Sequence, residues 1–427
     1  MADQRLLVQI ATYNTNLQAE RGLPQDLVDW LAPTLQVSRF LAREPRAPDI
    51  VVVGFQELLP LHLGLSGLSR KVIESRNALI LSEIERHAPN KEKYTLIAKV
   101  VNVGVALLVY GLDAGVARSV VDVETQWTGC GPAYMGNKGA VGVRFRVPAV
   151  DGGVGETFTF VCAHLTAHSH KLEQRVRDYH HIVGSLLFKP LPGSPGGARE
   201  PTTMYATSHL FFFGDLNFRI VLPSTHALAH SSSAEPDFAR ILEQESVRED
   251  LKEYDQLLIA RDRSHRAFFG FREGDFWRFK CSYKYKLGEV DKYDLKRHPA
   301  WTDRIMYTTH TDSPDTTTTS NVTNALYTSI PSYTTSDHKP VVSVLLLPPP
   351  AATPGLSTPP TLLLPEGFTP RPDPYALPKK YLGRVLDRLI GLCWWLLVFL
   401  GAGSGALGIG NVLVGLGIWK ARWWETD

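Results

Sequence analysis

The sequence predicts an α/β protein made of one large sheet-based domain followed by a tail, and three observations carry that prediction. The chain has 427 residues, 44% of them hydrophobic, enough to bury a large core. Apolar runs of strand length recur from 6–12 to 341–347, with helically spaced segments between them. Beyond residue 347 the composition turns Pro-rich over 348–378, and 389–419 then runs without a charged residue.

The bulk properties exclude several classes. Lys+Arg number 45 against 43 Asp+Glu, a net charge of +2, so no overall field favours a nucleic-acid partner and anion recognition must be local. Cys130, Cys162, Cys281 and Cys393 are widely spaced without a CxxC, which argues against a disulfide framework or a zinc site and for a reducing compartment. Residues 1–10 carry Asp3, Gln4, Arg5 and Gln9 around a short apolar run, unlike a signal peptide.

In chain order, 6–12 reads as a buried strand that delivers Asn14, either an Asx turn or a site residue. Leu27, Trp30, Leu31, Leu35 and Phe40 space a helix over 24–41, stopped by Pro45 and Pro48. The strand 50–54 empties into Phe55-Gln56-Glu57, and an acid straight after an Ile-Val-Val-Val run is a candidate metal ligand. A helix over 69–88 and strands over 94–101, 104–110, 119–128 and 141–147 follow. Between the last two lies a Gly-rich loop, 129–139, whose glycines and Lys138 can approach one anion or simply make a turn.

The strand 157–163 ends at His164, and 171–187 reads as a helix before a Pro/Gly/Ser-rich surface loop over 190–207. The run Phe211-Phe212-Phe213-Gly214-Asp215-Leu216-Asn217-Phe218-Arg219 is central. Extended alternation predicts Asp215, Asn217 and Arg219 on one face: an acid to orient water, an amide to hold an oxyanion and a guanidinium to fork onto phosphate. A charged helix is predicted over 234–260, a dense aromatic and basic segment over 276–304, and an irregular Thr/Ser-rich excursion over 308–335. Ser336-Asp337-His338 then precedes a last strand, 341–347.

Taken together, Tyr13-Asn14, Phe55-Gln56-Glu57, Gly136-Asn137-Lys138-Gly139, His164-Leu165-Thr166-Ala167-His168, Phe213 to Arg219, Pro299-Ala300-Trp301-Thr302-Asp303-Arg304 and Ser336-Asp337-His338 resemble the inositol polyphosphate 5-phosphatases of the endonuclease/exonuclease/phosphatase superfamily. The resemblance implies an α/β four-layered sandwich of two packed mixed β-sheets flanked by helices over 1–347. It implies Mg2+ held by Asn14 and Glu57 with Asp337 on or near the metal, Asp215 orienting the attacking water and Asn217 holding a phosphate oxygen. It further implies His338 positioned by Asp303, with His164 and Arg304 as further phosphoryl partners. Asn137 and Lys138 match contacts to a 1-phosphate, and Tyr283, Lys284 and Arg297 to a 4-phosphate, with Lys296 adding to them. The segment 293–299 is shorter than the loop usual in that family.

The tail is expected to comprise a linker and basic juxtamembrane segment over 348–388, a membrane-anchoring helix over 389–419 with Trp residues near its ends, and a short tail, 420–427. Lys379, Lys380, Arg384 and Arg388 sit on its near side. The resulting expectation is a monomeric catalytic domain in the cytosol, tethered to a membrane such as the endoplasmic reticulum and removing the 5-phosphate of phosphatidylinositol 4,5-bisphosphate. Two alternatives compete with it: a nuclease of the same superfamily, and a non-catalytic phosphoinositide-binding tether.

Overall fold

The computed structural model describes residues 5–17, 46–149, 152–194, 200–226, 240–264, 266–294, 297–316, 318–351 and 356–401. The strands in chain order are β1 Leu7–Asn14, β2 Ile50–Gln56, β3 Tyr94–Asn102, β4 Val105–Leu112, β5 Val121–Gly129, β6 Gly139–Val147, β7 Glu156–His164, β8 His209–Asp215, β9 Arg272–Glu273, β10 Asp303–Thr309, β11 Thr323–Ser329 and β12 Val341–Leu346. They form two six-stranded sheets, in the orders β11-β12-β1-β2-β4-β3 and β5-β6-β7-β8-β10-β9. Each sheet has one parallel pair, β1 with β2 and β7 with β8, and the other neighbours run antiparallel.

The apolar runs lack alternation because both faces of the central strands are covered. Phe211 and Phe213 of β8 point between the sheets, where they meet Val8, Ile10, Val52, Val109, Phe160 and Cys162. Leu210 and Phe212 point outward to α3 (Leu172–Ser185), which supplies Val176, Tyr179 and Ile182. On the opposite flank, α1 (Leu61–Ser66) leads into α2 (Ser69–His87), whose Val72, Ile73, Ile80 and Ile84 cover Val51, Val53 and Tyr110. The result is the four-layered sandwich. The layers approach closely at Gly54, where an added Cβ would lie 2.5 Å from the Phe213 ring and 2.7 Å from Cys162 Sγ.

The helix over 24–41 falls outside the described residues, and three other expectations change. The single charged helix over 234–260 is broken within its described part: α4 (Glu245–Leu251) stops, and Asp255 caps a new turn by accepting from Leu258 N–H at 3.0 Å. The Thr/Ser-rich excursion contains β11, an edge strand on β12 whose half-exposed face accounts for its polar composition.

The Pro-rich stretch is no coreless linker. Leu362 N–H bonds to Thr207 O at 2.9 Å and Asp373 N–H to Gly184 O at 2.8 Å. Leu362 is buried in the core beside α3, and Phe368 stacks on Phe269 at 4.1 Å between centroids. The chain then enters α5 (Ala376–Phe399), which overlaps the start of the segment expected to span a membrane. Among the described residues no helix is long and apolar enough to cross one, and 402–419 lie outside those residues.

Candidate active site

Strand register assembles the site. In the second sheet His164 ends β7 opposite Asp215, which ends β8, and Asp303, which begins β10, lies opposite Asp215 on its other side. All three occupy positions in phase with Phe160, Phe213 and Ile305, so they face the other sheet. From that sheet, Asn14 ends β1 and donates through Nδ2 to Asp215 Oδ2 at 2.9 Å. Glu57 follows β2 in the left-handed region (φ 50°), with Oε1 3.8 Å from His164 Nε2.

His338 completes the cluster just before β12. Its Nδ1 lies 2.9 Å from Asp303 Oδ2 and its Nε2 4.0 Å from Asp215 Oδ2, while His164 Nε2 lies 3.3 Å from that same Asp215 oxygen. Asp303 Oδ2 also accepts from Ser282 Oγ at 2.7 Å and Thr302 Oγ1 at 2.8 Å. The sequence reading missed both hydroxyls, although Thr302 is the immediate neighbour of Asp303.

Burial penalises the charged form of His338, yet the adjacent carboxylates of Asp303 and then Asp215 outweigh it and raise its pKa to about 9. Burial likewise pushes Asp215 up, but the His338 charge, the His164 hydrogen bond and Lys138 overcome it and hold the carboxyl well below the usual range. The pair is therefore an imidazolium facing a carboxylate at neutral pH. Lys138 is held below its ordinary value, because burial outweighs the charges of Asp215 and Glu57.

Several expected site residues sit elsewhere or act differently. Asn217 does not continue an extended strand: it is left-handed (φ 57°), its N–H bonds to Asp215 Oδ1 at 3.1 Å, and Arg219 donates to its Oδ1. A turn, not alternation, brings the trio together. Arg304 is no phosphoryl partner. It is one residue out of phase with Asp303, faces outward, and is fully buried between Asp255 (2.9 Å) and Glu273 (2.6 Å).

Asp337 pairs with Lys284 at 2.5 Å, which also occupies that predicted phosphate ligand. Lys138 contacts His164 Nε2 and so lies beside the histidine and carboxylate cluster. Asn137 is half-buried beside it, and its Oδ1 has no hydrogen-bond partner. Tyr283 places its ring 4.5 Å from that of His338 and 4.4 Å beneath the Arg219 guanidinium. Arg219 and the exposed Arg297 line a cleft of about 340 Å³ with Ser169, His298 and Pro299. Lys296 lies outside the described residues.

The donor set fits a hard divalent cation. Glu57 and Asp215 offer carboxylate oxygens from facing strand ends beside the Asn14 amide, whose Oδ1 accepts Asn16 N–H at 3.0 Å, and Asp303 Oδ1 is buried without a hydrogen-bond partner. Asp215, Asp303 and His338 place ligand-type atoms within 4.8 Å of one another, but a protonated His338 donates and does not ligate.

Residues 11–344 match the model of the Endonuclease/Exonuclease/phosphatase family 2. The chain belongs to this family. Rat synaptojanin-2 is 30% identical over 71% of the chain, and the mouse type II inositol 1,4,5-trisphosphate 5-phosphatase is 30% identical over 78%. The chain spans 19% and 29% of those two proteins' lengths. Among solved structures, the inositol polyphosphate 5-phosphatase domain of SPsynaptojanin, crystallised with inositol (1,4)-bisphosphate and calcium, superposes with a TM-score of 0.62 at 24% identity, covering 90% of each chain. Cimex nitrophorin in its ferrous NO complex superposes at 0.53 with 19% identity, covering 81% of this chain and 99% of that one. The fold therefore carries unrelated functions, and the chemistry must be argued from the site.

Proposed function

We propose that this chain is a Mg2+-dependent phosphomonoesterase that removes the 5-phosphate from phosphatidylinositol 4,5-bisphosphate, giving phosphatidylinositol 4-phosphate. The observation that carries the reading is His338 clamped between Asp303 and Asp215, with His164 and Asn14 converging on the same Asp215 carboxylate and Glu57 beside His164. An acid held ionised orients a water through its oxygens, and a fixed imidazolium donates to charge that develops on a transferring phosphoryl group. Water adds to phosphorus, the P–O bond to the inositol 5-oxygen breaks, and that oxygen leaves as a hydroxyl.

Asn217 is held beside Asp215 by its own N–H and presents its amide to a phosphoryl oxygen. Lys138, between His164 and the carboxylates, meets the same group, and Arg219 and Arg297 take the remaining ring phosphates in their cleft. Glu57 and Asn14 would hold Mg2+, whose charge neutralises the phosphate oxygens. The name of the mouse relative, a type II inositol 1,4,5-trisphosphate 5-phosphatase, supports inositol phosphates as the substrate class. The near-neutral chain disfavours a duplex-binding nuclease. Attachment through 389–419 would keep the catalytic domain on the cytosolic face of a membrane such as the endoplasmic reticulum, amid lipid head groups.

The test is phosphate release by the full chain from vesicles containing the lipid. Release that needs Mg2+ and is lost in Asp215→Asn is expected; a parent protein inactive with Mg2+ present refutes the reading.

A further inference from the structure

The helix α5 is built the wrong way round for a surface helix. Its charged and small residues face the protein: Asp387 is buried and accepts Gly136 N–H at 3.0 and 3.2 Å, and Lys380 donates to Gln126 at 2.9 Å. Arg384 donates to Asn102 at 3.0 Å and lies 3.9 Å from the Trp127 ring centre, while Arg388 donates to Leu65 O at 2.6 Å. Glycines allow this contact. A Cβ at Gly383 would overlap the Tyr134 carbonyl oxygen, and one at Gly391 would overlap Ser66 N.

The other side of the helix is apolar and uncovered. Leu377, Tyr381, Val385, Leu389, Leu392 and Leu396 follow a spacing of three or four residues, and each is 50–63% exposed. A stripe of six large apolar side chains on one helix is more than a soluble surface ordinarily leaves uncovered.

What covers it follows from its borders. The stripe runs into 389–419, which carries no charge. Along its edge, Arg384 and Arg388 line a groove of about 610 Å³ with Arg70, Trp127 and Lys99, the last paired with Glu74. Burial, and after it the charges of Arg388 and Arg70, hold the Arg384 guanidinium below its ordinary value, with Asp387 opposing them. An apolar stripe bordered by clustered cations suits an anionic lipid surface: acyl chains against the leucines, phosphate head groups against the arginines.

We propose that the outward face of α5 lies in the surface of an anionic bilayer and that its inward face holds the phosphate cleft against that surface. The Gly136 bond links the helix to the loop bearing Asn137 and Lys138, so docking fixes how the site meets lipid. The proposal rests on the lipid-phosphatase reading only for the activity arm of its test.

The first arm is independent of activity. A fluorophore is placed on Val385→Cys in a Cys393→Ser background, and the full chain is added to phosphatidylcholine vesicles with and without phosphatidylserine. Quenching by nitroxide-labelled lipid, stronger with phosphatidylserine, is expected. Quenching by aqueous iodide instead, or shielding from both quenchers in a species of twice the mass, would overturn the proposal, the latter in favour of a second copy of the chain. In the second arm, Val385→Glu with Leu389→Glu is expected to slow phosphate release from vesicle-borne lipid roughly tenfold, leaving soluble inositol 1,4,5-trisphosphate unaffected. Equal rates on both substrates, or equal loss on both, count against it. If neither substrate is hydrolysed by the parent chain, the enzymatic reading fails and the quenching arm alone decides.

Discussion

The two ends of the second sheet carry the same residue types and do different things. At one end of β7, β8 and β10 stand His164, Asp215 and Asp303; at the other stand Glu156, His209 and His310. The second group is closed upon itself. Glu156 accepts from Ala351 N–H at 2.9 Å and lies 3.1 Å from His209 Nε2, and His209 Nδ1 meets Thr309 Oγ1 at 2.9 Å. The first group is completed from the other sheet by Asn14 and Glu57 and opens toward Lys138, Arg219 and the cleft. Acid and histidine alone do not make a site. Two layers meeting around them, with cations facing outward, do.

The sharpest test of that contrast is to neutralise one acid at each end. Asp215→Asn is expected to lower phosphate release by about 10³- to 10⁴-fold in a folded protein, whereas Glu156→Gln leaves turnover within about threefold. A tenfold loss in Glu156→Gln would break the comparison.

Arg304 tests the division across the strand. Arg304→Met removes the cation bonded to buried Asp255 and leaves Glu273 with the Arg261 cation at 3.4 Å, so stability should fall by about 3–5 kcal/mol, read from the denaturant midpoint, with the folded fraction turning over normally. An unchanged midpoint with lost phosphate release would return Arg304 to the site.

A smaller effect concerns pH. The folded pKa of His338 is raised to about 9, so the stabilisation and charge it supplies are fully present below its unfolded value of about 6.5 and lost as pH rises through about 9. Phosphate release should accordingly fall on an alkaline limb near that value. Asp303→Asn is expected to slow release roughly 100-fold and to move the limb toward neutrality, because the largest charge holding His338 protonated is gone. A limb that stays in place would show that another group sets it. Least of all, Glu156→Gln should cost about 1–2 kcal/mol of stability, measured by thermal unfolding, for the weakened His209 contact.

Much of this was legible in the sequence because the chemistry sits at strand ends. Largely apolar runs marked β1, β2, β7 and β8, and the polar residues at or just past their ends, Asn14, Glu57, His164 and Asp215, are the ones the register brings together. Phase explains the failure at Arg304, since its neighbour Asp303 takes the inward position and leaves it facing out. Turn geometry explains Asn217, which reaches the site through φ 57° and not by alternation. The strand β11 was hidden by its Thr/Ser composition, which on an edge is compatible with pairing. Docking of the tail was invisible because it depends on close contacts at Gly383 and Gly391, which no local pattern announces.

Gly54 sets the gauge of the whole arrangement. With Phe213 and Cys162 pressed on its Cα, the layers stand at one separation, and the Asn14–Asp215 bond spans that gap a few residues further on. A lineage of such chains is free to redraw rim loops for new head groups, while one methyl group at this buried spot would prise apart the jaws that close on the phosphate.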